Sequence, residues 1–269
     1  MDVKKVLFIS QEIDPYLPAG KLSSFSRELA QGLQEKGAEV RSFMPKYGAV
    51  NERRNQLHEV IRLSGLNIII DDTDHPLIIK VATLQPSRLQ IYFIDNDDYF
   101  YRHAPGKLET ADWAELNDER TIFFVRGSIE TVKKLRWEAD IVQCTGWITA
   151  LTPLYLKTIY CDDPSFRSGK IVYSLTDEAF EGTLDPRMVE KMRQEGFSDE
   201  QLALLSAGGT DVDFIKLNKI AIDNADAIVE STDNVAPELV EYAKASGKPF
   251  LPYSQAAKAE EYHNFYSSL

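Results

Sequence analysis

The chain has 269 residues, of which 43% are hydrophobic and 27% charged, and its 42 acidic against 30 basic residues give a net charge of −12. This composition supplies a sizeable apolar core and excludes a disordered chain, a collagen-like repeat and a small disulfide-stapled scaffold. The acidic balance argues against binding to a nucleic-acid backbone or an anionic membrane surface, since neither would gain favourable charge contacts.

The start of the chain does not resemble a secretory signal. The apolar run at residues 6–9 is too short for a signal core, and no later run reaches the ~18 residues of a membrane span. Two cysteines, Cys144 and Cys161, make neither a disulfide framework nor a usual zinc site, so we interpret both as buried or idle thiols. We therefore expect a cytoplasmic protein that holds no metal ion and no cofactor.

The first part of the chain predicts a strand, a crossover helix and a parallel strand. Residues 6–10 form a continuous β-prone run, and residues 39–44 form the next strand, which Pro45 closes. Gly37 is placed to end the intervening helix in a left-handed conformation. Apolar residues at spacings of three or four define the buried face of that helix: Leu22, Phe25, Leu29 and Leu33.

Residues 58–94 break this rhythm and predict a β-rich insertion. Four β segments, at residues 58–63, 66–70, 76–84 and 89–94, have no helical period between them. We expect hairpin strands that partly extend the sheet and partly form a flap. The acidic stretch at residues 71–74 lacks the glycine and distal glutamate of a calcium loop, so we interpret it as a solvated turn.

From residue 117 onward, helices and strands alternate again. The predicted helices are 117–136, 149–160, two short ones within 186–205, 213–224, 237–246 and a last one from 256, and the predicted strands are 140–144, 170–175, 226–231 and 249–253. The pattern predicts an α/β fold with one doubly wound, mainly parallel, Rossmann-like sheet. We place this domain at residues 1–255 and a C-terminal helix at residues 256–269.

Ligands of such sheets bind beyond the carboxyl ends of the strands, so the loop at residues 10–24 is the first candidate site. Helix amides behind Gly20, together with the charge of Lys21, would suit a phosphate. A surface turn capped by Ser23 or Ser24 explains the same residues equally simply, and the residues alone leave both interpretations open.

Several motifs then resemble the N-terminal domain of bacterial glycogen synthases and plant starch synthases, which transfer glucose from ADP-glucose to an α-1,4-glucan. The matching stretches are Gln-Glu-Ile-Asp-Pro-Tyr at 11–16, Met-Pro-Lys-Tyr at 44–47, the aromatic stretch at 95–102, Asn-Asp-Glu-Arg at 117–120, and residues 140–157 with Trp-Ile-Thr-Ala-Leu-Thr-Pro-Leu-Tyr-Leu-Lys. Their order and spacing hold over roughly residues 4–253. The resemblance implies the N-terminal half of a GT-B glycosyltransferase.

The functional motifs of that family are altered here. Where the family has Lys-Thr-Gly-Gly-Leu, whose Lys and glycines contact the sugar nucleotide, this chain has Pro18 for the Lys and Lys21 for the second Gly. The family's His-x-His-Asp-Trp becomes residues 143–147, in which only Trp147 remains, and Thr176 replaces an active-site His. Losing one fixed hydrogen-bond donor to the departing diphosphate typically lowers the rate by ~10²–10³. Because several such groups are replaced here, we assign no catalytic residue.

The resemblance still implies a set of candidate substrate-binding positions, each of which has a structural alternative. Trp147 could stack on a sugar or anchor the core, and Tyr99 could join a sugar platform or pack under the flap. The complete set of candidates is Gly20, Lys21, Leu22, Tyr99, Trp147, Thr176 and Asp177.

Three functional hypotheses follow. The first is a glycogen synthase-like protein, catalytically impaired alone, that acts as a glucan-binding or regulatory module and docks on other glycogen-metabolism proteins. The second is an active ADP-glucose:α-1,4-glucan glucosyltransferase subunit that a partner chain completes, since the family closes its site with a second GT-B domain that we expect to be absent from residues 1–269. The third is a generic nucleotide- or metabolite-binding Rossmann-like protein.

Overall fold

The computed structural model describes residues 3–101, 116–253 and 259–269. The strands of these residues are β1 (Lys5–Ser10), β2 (Glu39–Pro45), β3 (His58–Glu59), β4 (Leu66–Ile70), β5 (Thr73–Leu84), β6 (Leu89–Asp95), β7 (Ile141–Thr145), β8 (Lys170–Leu175), β9 (Ala227–Glu230) and β10 (Phe250–Leu251). Nine of them form a sheet in the order β10-β9-β8-β7-β1-β2-β6-β5-β3, and β4 pairs with β5. The strands from β10 to β6 are parallel, which confirms the predicted α/β fold.

Helices connect the parallel strands. Within the described ranges they are α1 (Lys21–Glu35), α2 (Asp97–Phe100), α3 (Asn117–Leu135), α4 (Thr152–Lys157), α5 (Met188–Gln194), α6 (Ala203–Ser206), α7 (Phe214–Asn224), α8 (Pro237–Ala245) and α9 (Ala259–Ser268), with a 3₁₀ turn at Trp147–Thr149. The central strand β1 is buried from Val6 to Ser10, as expected for a sheet covered on both faces. None of the described helices is long and apolar enough to cross a membrane.

The β-rich insertion forms, with one correction. Residues 58–63 were expected to be a strand, but strand pairing stops after His58–Glu59. The chain then turns, because the backbone amides of Leu63 and Ser64 both donate hydrogen bonds to the Val60 carbonyl. β5 extends beyond the sheet and pairs with β4 as a hairpin. The acidic turn between them has Asp71 and Asp72 at positive φ, and both oxygens of the Asp71 carboxylate accept bonds from Arg187.

Two predicted helices are shorter in the structure. The expected helix at 149–160 is split into the 3₁₀ turn and α4, and Pro153 lies in the first turn of α4, where its missing amide hydrogen costs nothing. In the 186–205 region α5 and α6 form as two short helices. Ser198 and Gln201 exchange the two hydrogen bonds of a capping box, but α6 begins only at Ala203.

The C-terminal helix α9 packs on α1 and reaches the central sheet. Tyr262 lies 5.7 Å from the ring of Phe25, and the Tyr266 hydroxyl donates to Gln143 Oε1 at 2.6 Å. Both tyrosines are buried, so α9 contributes to the domain core. The predicted start of this helix at residue 256 lies outside the described residues, and the proposed division at residue 255 stays a prediction.

Candidate functional site

The carboxyl ends of β1, β7, β8 and β9 meet at one edge of the sheet, where the sequence places its candidate loop. We call this region the mouth, and its residues are Gln11, Glu12, Gly20, Lys21, Gly146, Asp177, Glu178 and Asp233. The parallel registers of the four strands bring together side chains that are more than 200 residues apart in sequence.

The start of α1 is capped from within the chain. Gly20 is extended, and its amide donates to Ser23 Oγ at 2.9 Å, while the Ser24 amide donates to the Gly20 carbonyl at 3.0 Å. The Ser23 hydroxyl therefore caps the turn at the helix entry, while phosphate binding by the helix amides behind Gly20 stays a prediction. Leu22 is fully buried, so its side chain belongs to the core.

Lys21 projects into the mouth and is held by two carboxylates. Its side chain is 62% exposed, and its Nζ lies 2.8 Å from Asp233 Oδ1 and 3.9 Å from Asp177 Oδ2. The hydrogen bond and the charge of Asp233 raise the pKa of Lys21, and the same bond lowers the pKa of Asp233. The positive charge that the sequence offers to a phosphate is therefore already paired.

Glu178 is an acid of the mouth whose pKa is strongly raised. Burial, followed by the nearby charges of Glu12 and Asp177, raises the pKa of its carboxyl from 4.5 to about 7. Gln11 Nε2 donates to Glu178 Oε2 at 3.2 Å. Several carboxyl groups thus share one partly desolvated region, and protonation of Glu178 near neutral pH relieves part of their repulsion.

Gln11 is fully buried beside Glu178. It lies so close to Gly146, at the end of β7, that only glycine fits there. Its Oε1 has no hydrogen-bond partner among the described residues. Gly146 has φ +90°, and a Cβ at this position would lie 2.5 Å from the Cβ of Gln11. Only glycine satisfies both the backbone conformation and this close approach.

The two aromatic candidates are not exposed at the mouth. Trp147 is 1% exposed and packs edge-on against Phe180 at 5.0 Å, so the core-anchor interpretation describes it. Tyr99 is 4% exposed, and its hydroxyl donates to Glu119 Oε2 at 2.8 Å and lies 2.9 Å from His75 Nε2. The hypothesis that these rings stack on a sugar is therefore corrected, because neither ring has a free face.

The structure brings together three of the seven candidates and separates the others. Gly20, Lys21 and Asp177 share the mouth, while Thr176 is 3% exposed beneath it. Sequence reasoning missed Glu178 and Asp233 as parts of this site. Glu178 follows Asp177 directly and could have been included, but no local signal marks Asp233.

The altered family positions on β7 are buried in the core. Gln143 donates from Nε2 to Ser174 Oγ at 2.6 Å and accepts the Tyr266 hydroxyl at Oε1. Cys144 is buried, and burial raises the pKa of its thiol to about 12, so it is not a nucleophile. Cys161 is exposed, so of the two cysteines only Cys144 is a buried thiol.

Comparisons with known proteins agree with this fold. Residues 5–248 match the family model of the starch synthase catalytic domain. The glycogen synthase of Chlorobium phaeovibrioides is 34% identical over 237 residues, covering 87% of this chain and 47% of that protein, and that of Chlorobium chlorochromatii is 37% identical over 190 residues, covering 70% and 39%.

A solved structure has the same fold. The catalytic domain of starch synthase IV from Arabidopsis thaliana, bound to ADP and acarbose, superposes with a TM-score of 0.73 at 20% identity and covers 94% of this chain and 51% of that one. The chain spans about half the length of the curated relatives it matches. On the family match and these relatives, the chain belongs to the starch synthase catalytic domain family.

Proposed function

We propose that this chain serves α-glucan metabolism as a glucan-binding or regulatory module, and that its mouth does not support glucosyl transfer from ADP-glucose. The observation that carries the proposal is the charge of the mouth. Lys21 is paired with Asp233 and Asp177, and Glu178 lies close enough to Glu12 and Asp177 for their charges to act on its carboxyl group.

A diphosphate would meet strong repulsion at such a site. Two like charges 4 Å apart near a protein surface repel by about 4 kcal/mol, and a sugar nucleotide carries its charges on adjacent phosphates. The Lys21 ammonium already donates to Asp233, so this carboxylate offsets the positive charge that Lys21 would present to a diphosphate. Catalysis would also require fixed donors toward the departing diphosphate, and Pro18 and Thr176 supply no cationic group where the family has Lys and His.

A neutral sugar meets no such repulsion. Carboxylates are ordinary partners of sugar hydroxyls, and the mouth offers the carboxyl groups of Asp177 and Glu178. Uncharged hydroxyls would donate to these acceptors. The chemistry of the mouth therefore favours the glucan over the sugar nucleotide.

The test is a pair of measurements on the purified chain. Calorimetric titration with maltoheptaose should give saturable binding, and incubation with ADP-glucose and glycogen should give no chain extension. Robust ADP-glucose-dependent extension would overturn the proposal, and so would a lack of maltoheptaose binding.

A second candidate is an active glucosyltransferase subunit that a partner completes. It fits the coverage, because the chain matches 47% of the length of the Chlorobium phaeovibrioides glycogen synthase. If a copurifying protein matching that remainder restores extension, the second candidate replaces the first. The chain on its own should then also bind ADP-glucose.

A further inference from the structure

A pocket lies at the end of the sheet opposite the mouth. It has a volume of about 400 Å³, within the roughly 300–1,000 Å³ of ordinary ligand clefts. Arg136 and Glu138 of its lining come just before β7, whereas the mouth lies beyond the carboxyl end of this strand, so the five residues of β7 separate the two regions by roughly 15 Å. We call this region the α3–β7 pocket, and its lining residues are Lys133, Arg136, Glu138, Asp163, Pro164 and Ser165.

The α3–β7 pocket presents one unpaired cation and one unpaired anion. Within the described ranges, the side chains of Arg136 and Glu138 form no hydrogen bond and no ion pair, either with each other or with another residue. The other two charged side chains of the lining already have partners, because the Lys133 ammonium lies 2.9 Å from Glu130 Oε1 and 3.9 Å from Asp163 Oδ2. The free charges that a ligand would meet are therefore those of Arg136 and Glu138.

A buried hydroxyl of the pocket also lacks a partner. Ser165 is 6% exposed, and its Oγ forms no hydrogen bond with the residues that the structure describes. Its main chain is held in place, because the Ser165 amide donates to Asp163 Oδ1 at 2.9 Å and the Ser165 carbonyl accepts from the Ala139 amide at 3.1 Å. Buried polar groups in folded proteins usually have a partner, so this hydroxyl indicates a place for a ligand atom.

The backbone fixes the two free charges before a ligand binds. Arg136 has φ +49° and ψ +47°, the left-handed conformation that usually takes Gly or Asn after a helix. An arginine in this conformation costs conformational energy, and such strain is concentrated at functional sites. Trp137, between the two charged residues, is 4% exposed and donates from Nε1 to Glu39 Oε1 at 2.7 Å, which anchors the segment that carries them.

The charges of the pocket select among classes of ligand. The guanidinium of an arginine is always protonated and its planar donors match a carboxylate, while the Glu138 carboxylate accepts from an ammonium group. A ligand with only anionic groups would be repelled by Glu138 and by the carboxyl-terminal end of α3, which lies at Leu135. A ligand with only cationic groups would be repelled by Arg136. A small zwitterion satisfies both free charges.

From these observations we infer that the α3–β7 pocket is a binding site for a small zwitterion of the amino-acid type, with its carboxylate on Arg136 and its ammonium group on Glu138. The Ser165 hydroxyl would donate to the same carboxylate, and the exposed ring of Pro164 would contact an apolar side chain of the ligand. This inference does not depend on the proposed function, because it concerns the opposite end of the sheet and a different class of ligand.

The test is an NMR titration of the isotope-labelled full chain, which reports both the affinity and the place of binding. The probe is L-norleucine, and its matched controls are hexanoate, which lacks the ammonium group, and pentylamine, which lacks the carboxylate. L-norleucine should shift the amide signals of residues 133–138 and 163–165 saturably, with a Kd below about 5 mM. Each control compound should bind at least about tenfold more weakly, the effect of one lost hydrogen bond to a charged group.

Three variants test the assigned residues. Arg136→Gly removes the guanidinium and introduces the residue that the left-handed conformation favours, so the fold should be retained. Glu138→Gln removes the negative charge at nearly constant size. Each should weaken the binding of L-norleucine at least about tenfold, whereas Arg167→Gln, at an exposed arginine two residues after Ser165 and outside the lining, should leave it unchanged.

The contrary outcomes each overturn the inference. If no shift saturates up to about 20 mM L-norleucine, or if the shifted amides lie elsewhere in the chain, the pocket is not such a site. Equal binding of hexanoate or pentylamine would show that one charge alone is recognised. Unchanged affinity in Arg136→Gly or in Glu138→Gln would show that the corresponding free charge does not contact the ligand.

Discussion

Replacing Glu178 by glutamine should stabilise the protein above neutral pH. The folded protein keeps a proton on Glu178 up to a pKa of about 7, whereas the unfolded chain loses it near 4.5. The folded state therefore binds more protons between these values, and the free energy of unfolding contributed by this group falls as the pH rises from 4.5 to about 7. Glu178→Gln removes this penalty and retains a side-chain oxygen that can accept from Gln11.

The size of the stabilisation by Glu178→Gln follows from the difference between the folded and unfolded pKa of Glu178. A difference from 4.5 to about 7 corresponds to about 3 kcal/mol without screening. Glu178 is only half-buried, and solvent screening reduces such values, so we expect a gain of about 1–2 kcal/mol at pH 8 and little change near pH 4.5. For a chain of this size, this corresponds to a rise in Tm of about 2–8 °C.

The assay is urea unfolding of both proteins in half-unit steps from pH 4.5 to pH 8. The matched control is Glu181→Gln, because Glu181 is exposed three residues further along the same loop. The wild type should lose stability relative to Glu178→Gln as the pH rises, while Glu181→Gln should follow the wild type. If Glu178→Gln and the wild type keep a constant difference over the whole range, Glu178 is not a protonated group of the folded protein.

Two further substitutions test the packing that surrounds the mouth. Gly146→Ala should lower the free energy of unfolding by about 2–4 kcal/mol, because it combines a strained φ with a clash against Gln11, whereas Gly182→Ala, at positive φ with open space, should cost only about 1–2 kcal/mol. Tyr266→Phe should cost about 1–3 kcal/mol by leaving Gln143 Oε1 buried without a donor. Urea unfolding at pH 7 measures all three.

For each of these two stability predictions, one result would contradict the expected loss. Equal losses for the two glycine variants would mean that the close approach at Gly146 is absent. For the tyrosine, the control is Tyr253→Phe, since Tyr253 is exposed and should tolerate loss of its hydroxyl. If Tyr266→Phe is as stable as that control, α9 is not bonded to the central sheet.

The regular elements could be predicted from the sequence because their signals are local. Strand β8 begins and ends at the predicted residues, and α1 begins directly after Gly20 and buries its predicted leucines. Where local signals compete, the prediction was less accurate. A proline within the first turn shortened the expected helix at 149–160, and the strand expected at 58–63 stops where the chain turns back at Val60.

The candidate site could be predicted only in part, because its chemistry depends on distant contacts. Lys21 and Asp233 are 212 residues apart, and only the sheet order places them side by side. The sequence identified Lys21 as a cation but could not show that it is paired. Burial is equally non-local, so Trp147 was open to two interpretations until its contact with Phe180 was visible.

The account depends most on the claim that the acidic mouth excludes a sugar diphosphate. The most direct measurement is a calorimetric titration of the purified chain with ADP-glucose at pH 8, where Glu178 is ionised. We predict no saturable heat below about 1 mM. Saturable binding in the micromolar range that Lys21→Ala abolishes would show that Lys21 serves the phosphates despite its ion pair with Asp233, and would contradict the account.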